Sequence, residues 1–327
     1  MIFSSASLRL IGFGSAVPRA RGCFAKIWSR RGAFRALELC LLAALLSACT
    51  GNGVLSPRGP IAEANKAIML NSLAIMLAIV VPTILAVFMF AWWFRAGNGR
   101  ARYDPEFVFS GRIEAIVWGI PLLTVIFLSG LIWIGSHQLD PYRRISSTET
   151  ELEVQVISLD WKWLFIYPQE GVASVNWLVL PVGRPVHFSL TSSSVMNSFF
   201  VPQLGSQIYT MYGMATQLSL RADHAGVYRG QSSHFSGDGF AKMVFPVHAV
   251  PPDEFALWAA NARETGPTLD ARTYSVLARQ SQGDPPVTFA AVQPGLFDAI
   301  VRQELPPGPG PQHGRGGAPQ ISPKGER

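Results

Sequence analysis

The fold of this chain is decided by the stretch Gly230-Gln231-Ser232-Ser233-His234-Phe235-Ser236-Gly237-Asp238-Gly239-Phe240-Ala241-Lys242-Met243. It is laid out like a metal-binding loop in which serines 232 and 236 stand where thiolates would be expected. All three cysteines of the chain lie at or before Cys49, so no thiolate is available near this loop. Hydroxyl groups are hard, neutral ligands and cannot replace thiolates at a soft metal site. The spacing therefore indicates a fold and not a metal site.

The loop resembles the dinuclear copper motif of cytochrome c oxidase subunit II, which reads G-Q-C-S-E-x-C-G-x-x-H-x-x-M after an earlier ligand His. Two further segments carry the resemblance, Ser158 to Trp163 and Val195 to Pro202. Only Met243 keeps the ligand of the motif. The former copper positions, none of them predicted to be a ligand here, are Asn197, Ser232, His234, Ser236, Phe240 and Met243. One imidazole with one thioether is a poor site, and a blue-copper centre would need a Cys and two His.

The family that has this fold and lacks these ligands is subunit II of the bacterial quinol oxidases of the cytochrome bo type. The resemblance implies a cupredoxin-like domain, no cofactor and no metal in this chain, and haems and copper in subunit I. It covers roughly residues 49–297. Cytochrome c oxidase subunit II and a free blue-copper carrier are both excluded by the missing thiolates.

Composition points to a membrane protein. The chain has 327 residues, of which 49% are hydrophobic and only 15% are charged, which is too apolar for an ordinary soluble protein. Its net charge of +6 comes largely from two arginine-bearing regions that adjoin apolar runs, and these read as topology signals, so no nucleic-acid partner is predicted. Two runs, residues 67–94 and 113–135, are long enough to cross the hydrocarbon core.

The charges around these two spans predict the topology. Residues 95–112 between them carry four arginines, whereas residues 49–66 carry only Arg58 and Lys66. The positive-inside rule places the 95–112 loop in the cytoplasm and both flanking segments in the periplasm. The predicted location is the bacterial inner membrane.

The N-terminus has the layout of a secretory signal, with a basic region followed by an apolar run and small residues. Residues 1–48 are predicted to be a signal peptide, and its first 29 residues are more than a signal needs, which suggests a start codon assigned too far upstream. Leu46-Ser47-Ala48-Cys49 resembles the lipobox of bacterial lipoproteins, which implies that Cys49 is acylated and anchors the chain to membrane lipid. The simpler alternative is an ordinary cleavage site with a small residue.

Residues 136–250 are predicted to form a β-sandwich, because short alternating runs are separated by turn residues. The predicted strands are 151–158, 161–167, 176–180, 185–191, 217–221 and 241–247. Residues 251–304 are predicted to be a helical extension, with helices at 253–262 and 273–280. Residues 305–327, rich in Pro and Gly, are predicted to be a disordered tail.

One acidic residue and one pair of tryptophans are further candidates for a functional role. Glu114 opens the second span, where a carboxylate is stabilised by the helix N-terminus; the resemblance adds a possible proton-entry role near subunit I. Trp161 and Trp163 are interpreted as part of an aromatic cluster at the interface with subunit I.

Together these observations predict a non-catalytic subunit of a proton-pumping ubiquinol oxidase. Its predicted partners are subunit I, the smaller membrane subunits and membrane lipid, with quinol bound at the level of the complex. The alternative is a free membrane lipoprotein with a structural or binding role.

Overall fold

A computed structural model describes residues 53–102 and 104–310. Two long helices come first, α1 at Pro60–Trp93 and α2 at Gly111–Gln138, and both are long and apolar enough to cross a membrane. The predicted signal peptide, Cys49 and most of the predicted tail lie outside the described residues. The pair of helices confirms the predicted hairpin.

Helix α1 extends beyond its apolar run. Its 34 residues correspond to about 51 Å at ~1.5 Å per residue, against a hydrocarbon core of ~30 Å. The helix begins at Pro60, seven residues before the predicted start of the span, and proline suits the first helical position. Ala62 in its first turn is buried, and the Asn65 side chain donates a hydrogen bond to Ser206 Oγ at 3.0 Å. The first turns therefore pack against the sandwich.

The rest of the described chain contains thirteen strands, three α-helices and one short 3-10 helix. The strands are β1 Leu152–Leu159, β2 Lys162–Tyr167, β3 Val172–Val175, β4 Leu178–Pro181, β5 Val186–Ser192, β6 Asn197–Phe200, β7 Ile208–Thr210, β8 Thr216–Leu220, β9 Gly226–Ser232, β10 Val244–Val250, β11 Thr268–Leu269, β12 Val287–Phe289 and β13 Ala291–Val292. The helices are α3 Pro252–Thr265, α4 Ala271–Leu277, α5 Leu296–Val301 and the 3-10 helix Phe240–Lys242.

The strands form a sandwich of two main sheets. One sheet has the order β12-β3-β2-β1-β5-β8, and the other has the order β4-β10-β9-β6-β7. Strands β1 and β5 pair in parallel, as do β4 and β10, while the other neighbours in these sheets are antiparallel. The predicted fold class is confirmed. The sequence prediction missed β3, β6, β7, β9, β11, β12 and β13, and all of these except β9 have four residues or fewer.

The six-stranded sheet is buried on both faces. On one face Trp163, Phe165 and Tyr167 point into the core between the two sheets. On the other face Leu164 and Ile166 pack under the C-terminal extension, which contributes Tyr274, Phe289, Leu296, Phe297 and Ile300. Strand β2 is consequently buried at every residue. The extension is thus a second layer of the domain.

Two buried charged residues at the start of β2, Asp160 and Lys162, make contacts with the C-terminal extension. Asp160 accepts hydrogen bonds from Ser194 Oγ and, at 2.9 Å, from the backbone N–H of Gly310. The Lys162 ammonium lies 3.2 Å from the Asp284 carboxylate and donates to the carbonyl of Arg279 at 2.8 Å. Removing the Asp284 carboxylate would leave the buried Lys162 ammonium without its counter-charge, so this contact helps to fix the path of the extension.

The tail was predicted to begin at residue 305, and the structure describes its first six residues in contact with the sandwich. Gly308 and Gly310 are buried, and the N–H of Gly308 donates to the carbonyl of Ser193 at 2.8 Å. Composition alone could not show this, because the contacts are made by backbone groups of glycines and a distant Asp160. Residues 305–310 therefore belong to the folded domain.

A buried histidine gives the domain a pH-dependent stability. His187 Nδ1 lies 3.1 Å from Ser219 Oγ and 4.0 Å from Glu151 Oε1. Burial lowers the pKa of His187 below its ordinary 6.5, and the Glu151 carboxylate opposes this in part. The unfolded chain therefore takes up a proton first, so stability is full above about pH 6.5 and falls as the pH drops through the folded pKa.

We expect His187→Gln to reduce the loss of unfolding free energy between pH 7 and pH 5. Burial also lowers the pKa of His248, so the slope should be reduced and not abolished. Denaturant unfolding at several pH values measures this, with the exposed His224→Gln as the matched control. A His187→Gln slope equal to that of the unsubstituted chain would contradict the assignment.

Candidate functional site

The former copper positions come together at one end of the five-stranded sheet. Asn197 begins β6, Ser232 ends β9, and Met243 immediately precedes β10. Because β6 and β10 both flank β9 in the sheet, the three positions lie side by side at the same end of the sheet. The segment from Ser232 to Met243 is the loop that connects β9 to β10 at this end of the sheet.

Hydrogen bonds link these positions. Ser232 Oγ lies 3.1 Å from Asn197 Oδ1 and 3.1 Å from the carbonyl oxygen of His234, and it can donate to either. The Ser232 N–H donates to the carbonyl of Met243 at 3.1 Å. Ser236 Oγ donates to Met243 Sδ at 3.9 Å. Polar contacts thus occupy the space that the resemblance assigns to ligand bonds.

The two remaining positions make aromatic contacts. The half-buried His234 ring lies edge-on to Tyr209, with the ring centres 5.8 Å apart. Phe240 lies edge-on to Phe235 at 5.6 Å. A phenyl ring offers no ligand atom, and an imidazole packed against tyrosine is a structural contact as it stands.

The side-chain donor atoms at this end of the sheet do not suit a copper centre. They are one amide, two hydroxyls, one imidazole and one thioether, and soft thiolates are the ligands that select copper. Within residues 53–102 and 104–310, no group of three or more His, Cys, Asp or Glu is arranged to hold a metal ion. The chemistry that the side chains can perform here is hydrogen bonding and packing.

Trp161 supports the loop from the facing sheet. It takes the left-handed conformation at φ 66° between β1 and β2, and its indole Nε1 donates to the carbonyl of Ser236 at 2.9 Å. Gly237, at φ 107°, and Gly239 lie directly against its ring.

The prediction of an aromatic cluster at the subunit I interface is wrong for Trp163, which is fully buried inside the sandwich.

We expect Gly239→Ala to displace the loop. A Cβ at this position would lie 2.3 Å from the Trp161 ring, far inside van der Waals contact. Since Asp160 and Lys162 are both buried on either side of Trp161, the indole has little freedom to move, and overpacking of this kind costs about 1–3 kcal/mol. Amide hydrogen exchange should rise across residues 232–243.

The matched control is Gly53→Ala, where an added Cβ meets nothing within 4 Å. It should leave the exchange pattern of the loop unchanged. Normal protection of the loop in Gly239→Ala would show that Trp161 is not held as described.

Two family models match the chain. Residues 169–250 match the cytochrome c oxidase subunit II periplasmic domain, and residues 263–307 match the COX aromatic rich motif. The ubiquinol oxidase subunit 2 of Acetobacter aceti is 45% identical over 263 residues, which cover 80% of this chain and 85% of the relative. The chain belongs to the quinol oxidase subunit II family.

Two further comparisons complete this picture. The cytochrome bo(3) ubiquinol oxidase subunit 2 of Pseudomonas aeruginosa is 42% identical, covering 82% of this chain and 81% of the relative. Among solved structures, the periplasmic domain of subunit II of the Bradyrhizobium japonicum cytochrome oxidase matches with 24% identity and a TM-score of 0.34, covering 36% of this chain and 98% of that one.

The two family models correspond to the two layers of the folded domain. The model of the cytochrome c oxidase subunit II periplasmic domain covers β3 to β10, and the aromatic rich motif covers the extension from the end of α3 to Pro307. The aromatic residues of that motif include Tyr274, Phe289 and Phe297, which form the layer outside the six-stranded sheet. The resemblance predicted from the copper loop is confirmed.

Glu114, another predicted site residue, lies outside this loop. Glu114 is exposed in the first turn of α2, where its N–H donates to the carbonyl of Ser110 at 3.0 Å. It belongs to the membrane hairpin and not to the sandwich. Cys49 lies outside the described residues. Sequence reasoning missed the roles of Asp160 and Lys162, which contact Gly310 and Asp284, each more than a hundred residues away.

Proposed function

We propose that this chain is subunit II of a proton-pumping ubiquinol oxidase of the aerobic respiratory chain and that it has no copper centre of its own. The observation that carries the proposal is the 45% identity to a ubiquinol oxidase subunit 2 over most of both chains. The donor set at the former copper positions supports its second half, because it contains no thiolate. Electrons then enter the complex from quinol, and no electron port is needed here.

The subunit acts by binding and bracing. Subunit I holds the haems and copper, oxidises ubiquinol and reduces oxygen to water, while the present chain contributes its two helices and its sandwich. The smaller membrane subunits complete the assembly. The exposed apolar sides of α1 and α2 support this arrangement, since they must be covered either by lipid or by other helices.

The chain lies in the bacterial inner membrane with the sandwich in the periplasm. The two apolar helices and the match to a periplasmic domain support this location. The arginines of residues 95–112 support a cytoplasmic connecting loop. Cleavage before Cys49 and acylation of its thiol would add a lipid anchor at the periplasmic face.

Oxygen uptake by the complex purified from native membranes tests the proposal. Uptake driven by a reduced ubiquinol analogue, with none driven by reduced cytochrome c, is the expected result. Uptake with cytochrome c would reveal an electron entry port and overturn the copper-free assignment. Purification of the chain without a haem-bearing partner would favour a free lipoprotein.

Glu114 is proposed to assist proton entry into subunit I. Its exposed carboxylate at the loop-side end of α2 supports this role, because ionisable residues close to a membrane are functional candidates. Glu114→Gln should lower turnover and proton uptake in an assembled complex, and Glu114→Asp should retain part of both. Unchanged turnover and proton uptake in the Gln variant would contradict the role.

A further inference from the structure

The loop between α1 and α2 exposes three consecutive apolar side chains. Phe107, Val108 and Phe109 are 59%, 88% and 70% exposed. Apolar side chains in a row are costly to leave in water, and a contiguous exposed patch marks a surface that something covers. They lie directly before Ser110, the residue that precedes α2.

The depth of this tripeptide follows from the packing of the hairpin. Ile68 of α1 lies beside Gly135 of α2, where an added Cβ would come within 2.7 Å of Ile68 Cδ1. From this contact to the loop, α1 runs 25 residues to Trp93 and α2 runs 24 residues back to Gly111. The two helix ends are therefore level to within about one residue, or ~1.5 Å.

Trp92 and Trp93 mark the level of these ends. Both are at the end of the apolar run of α1, and tryptophan is enriched where a helix passes from hydrocarbon to headgroups. Because α2 begins at the same level, Phe107 to Phe109 lie close to the membrane interface. The tripeptide is thus presented to lipid and not to bulk water.

The charge of the loop selects the kind of lipid. Residues 95–112 carry four arginines against Asp104 and Glu106, which leaves two positive charges. The Arg95 guanidinium lies over the Trp92 ring, 5.4 Å from its centre, which holds one cation at the interface. Arginines beside a membrane are attracted to the anionic lipids of the cytoplasmic leaflet.

We propose that Phe107, Val108 and Phe109 insert into the headgroup region of the cytoplasmic leaflet and that the loop arginines bind anionic phospholipid headgroups there. This interfacial wedge, residues 107–109, adds a lipid site to the subunit on the side opposite the sandwich. The inference rests on the topology proposed above. Its test does not depend on oxidase activity, so the two can fail separately.

Fluorescence quenching in nanodiscs tests the wedge. Val108→Cys in the purified complex is labelled with bimane, the signal of the unsubstituted complex is subtracted, and brominated phosphatidylglycerol or brominated phosphatidylcholine is supplied at the same fraction. We expect blue-shifted emission and at least twofold stronger quenching by the phosphatidylglycerol. The matched control is Gly99→Cys, in the polar part of the loop, where an added Cβ meets nothing within 4 Å.

Each other outcome overturns part of the proposal. Emission typical of water at residue 108 would exclude insertion, and blue-shifted emission without quenching by either lipid would show that another protein subunit covers the wedge. Equal quenching by both lipids would exclude headgroup selection. In a second experiment Arg100→Gln with Arg102→Gln should abolish the preference for phosphatidylglycerol while residue 108 remains quenched.

Discussion

A chain carrying Asn197→His, Ser232→Cys, His234→Glu, Ser236→Cys and Phe240→His is expected to bind copper stoichiometrically and to absorb strongly in the visible range. The reason is geometric, because these positions already lie together at one end of the sheet and Ser232 already contacts Asn197 and the carbonyl of residue 234. Exchange of a hydroxyl for a thiol changes little in size. It does supply the soft ligands that copper requires.

Metal analysis and absorption spectroscopy of the full-length purified chain check this result. A chain with the His and Glu substitutions but with both serines retained is the matched control, and it should not show the thiolate absorption. The unsubstituted chain should likewise remain without stoichiometric copper. A folded five-substitution variant that takes up no copper would show that the loop has lost the geometry of the motif.

Trp163→Ala is expected to lower the free energy of unfolding of the sandwich by about 3–5 kcal/mol. The side chain is fully buried between the sheets, and its ring centre lies 5.5 Å from that of Phe199 and 5.6 Å from that of Phe245. Truncation removes apolar contacts from both sheets and leaves a cavity at the centre of the core. The neighbouring rings belong to different strands and cannot all close it.

Chemical denaturation of the purified chain in detergent, followed by near-ultraviolet circular dichroism, measures this change. Phe235→Ala is the matched control, since Phe235 is 66% exposed, and it should change stability by less than about 0.5 kcal/mol. A loss of under about 1 kcal/mol for Trp163→Ala would contradict the placement of Trp163 in the core. It would instead favour the interface position that the sequence suggests.

Runs of apolar residues and the spacing of one loop motif predicted the parts of this molecule that short stretches of sequence determine. The two apolar runs predicted both long helices, and the resemblance of the loop from Gly230 to Met243 assigned Asn197 and Ser232 to one former copper site. The motif could do this because its spacing matches strands β6, β9 and β10 of one sheet. The family relationship followed from the same residues.

Features that depend on distant contacts were not predictable in this way. Strand β2 is buried on both faces, so Trp163 reads as an aromatic in a cluster and not as a core residue. The turn at Asp160 to Lys162 gives no sign that it binds Asp284 and Gly310. Similarly, the first turns of α1 look like a polar lead-in to a span until Asn65 is seen against Ser206.

The attachment of α1 to the sandwich has a mechanical consequence. Helix α1 is about 51 Å long and is attached to the sandwich at its outer end, so a tilt of the whole helix by about 10° within the bilayer would shift the sandwich sideways by about 9 Å. Because α1 meets the sandwich through Ala62 and Asn65 and not through a slack linker, the angle of the hairpin sets the lateral position of the whole outer domain.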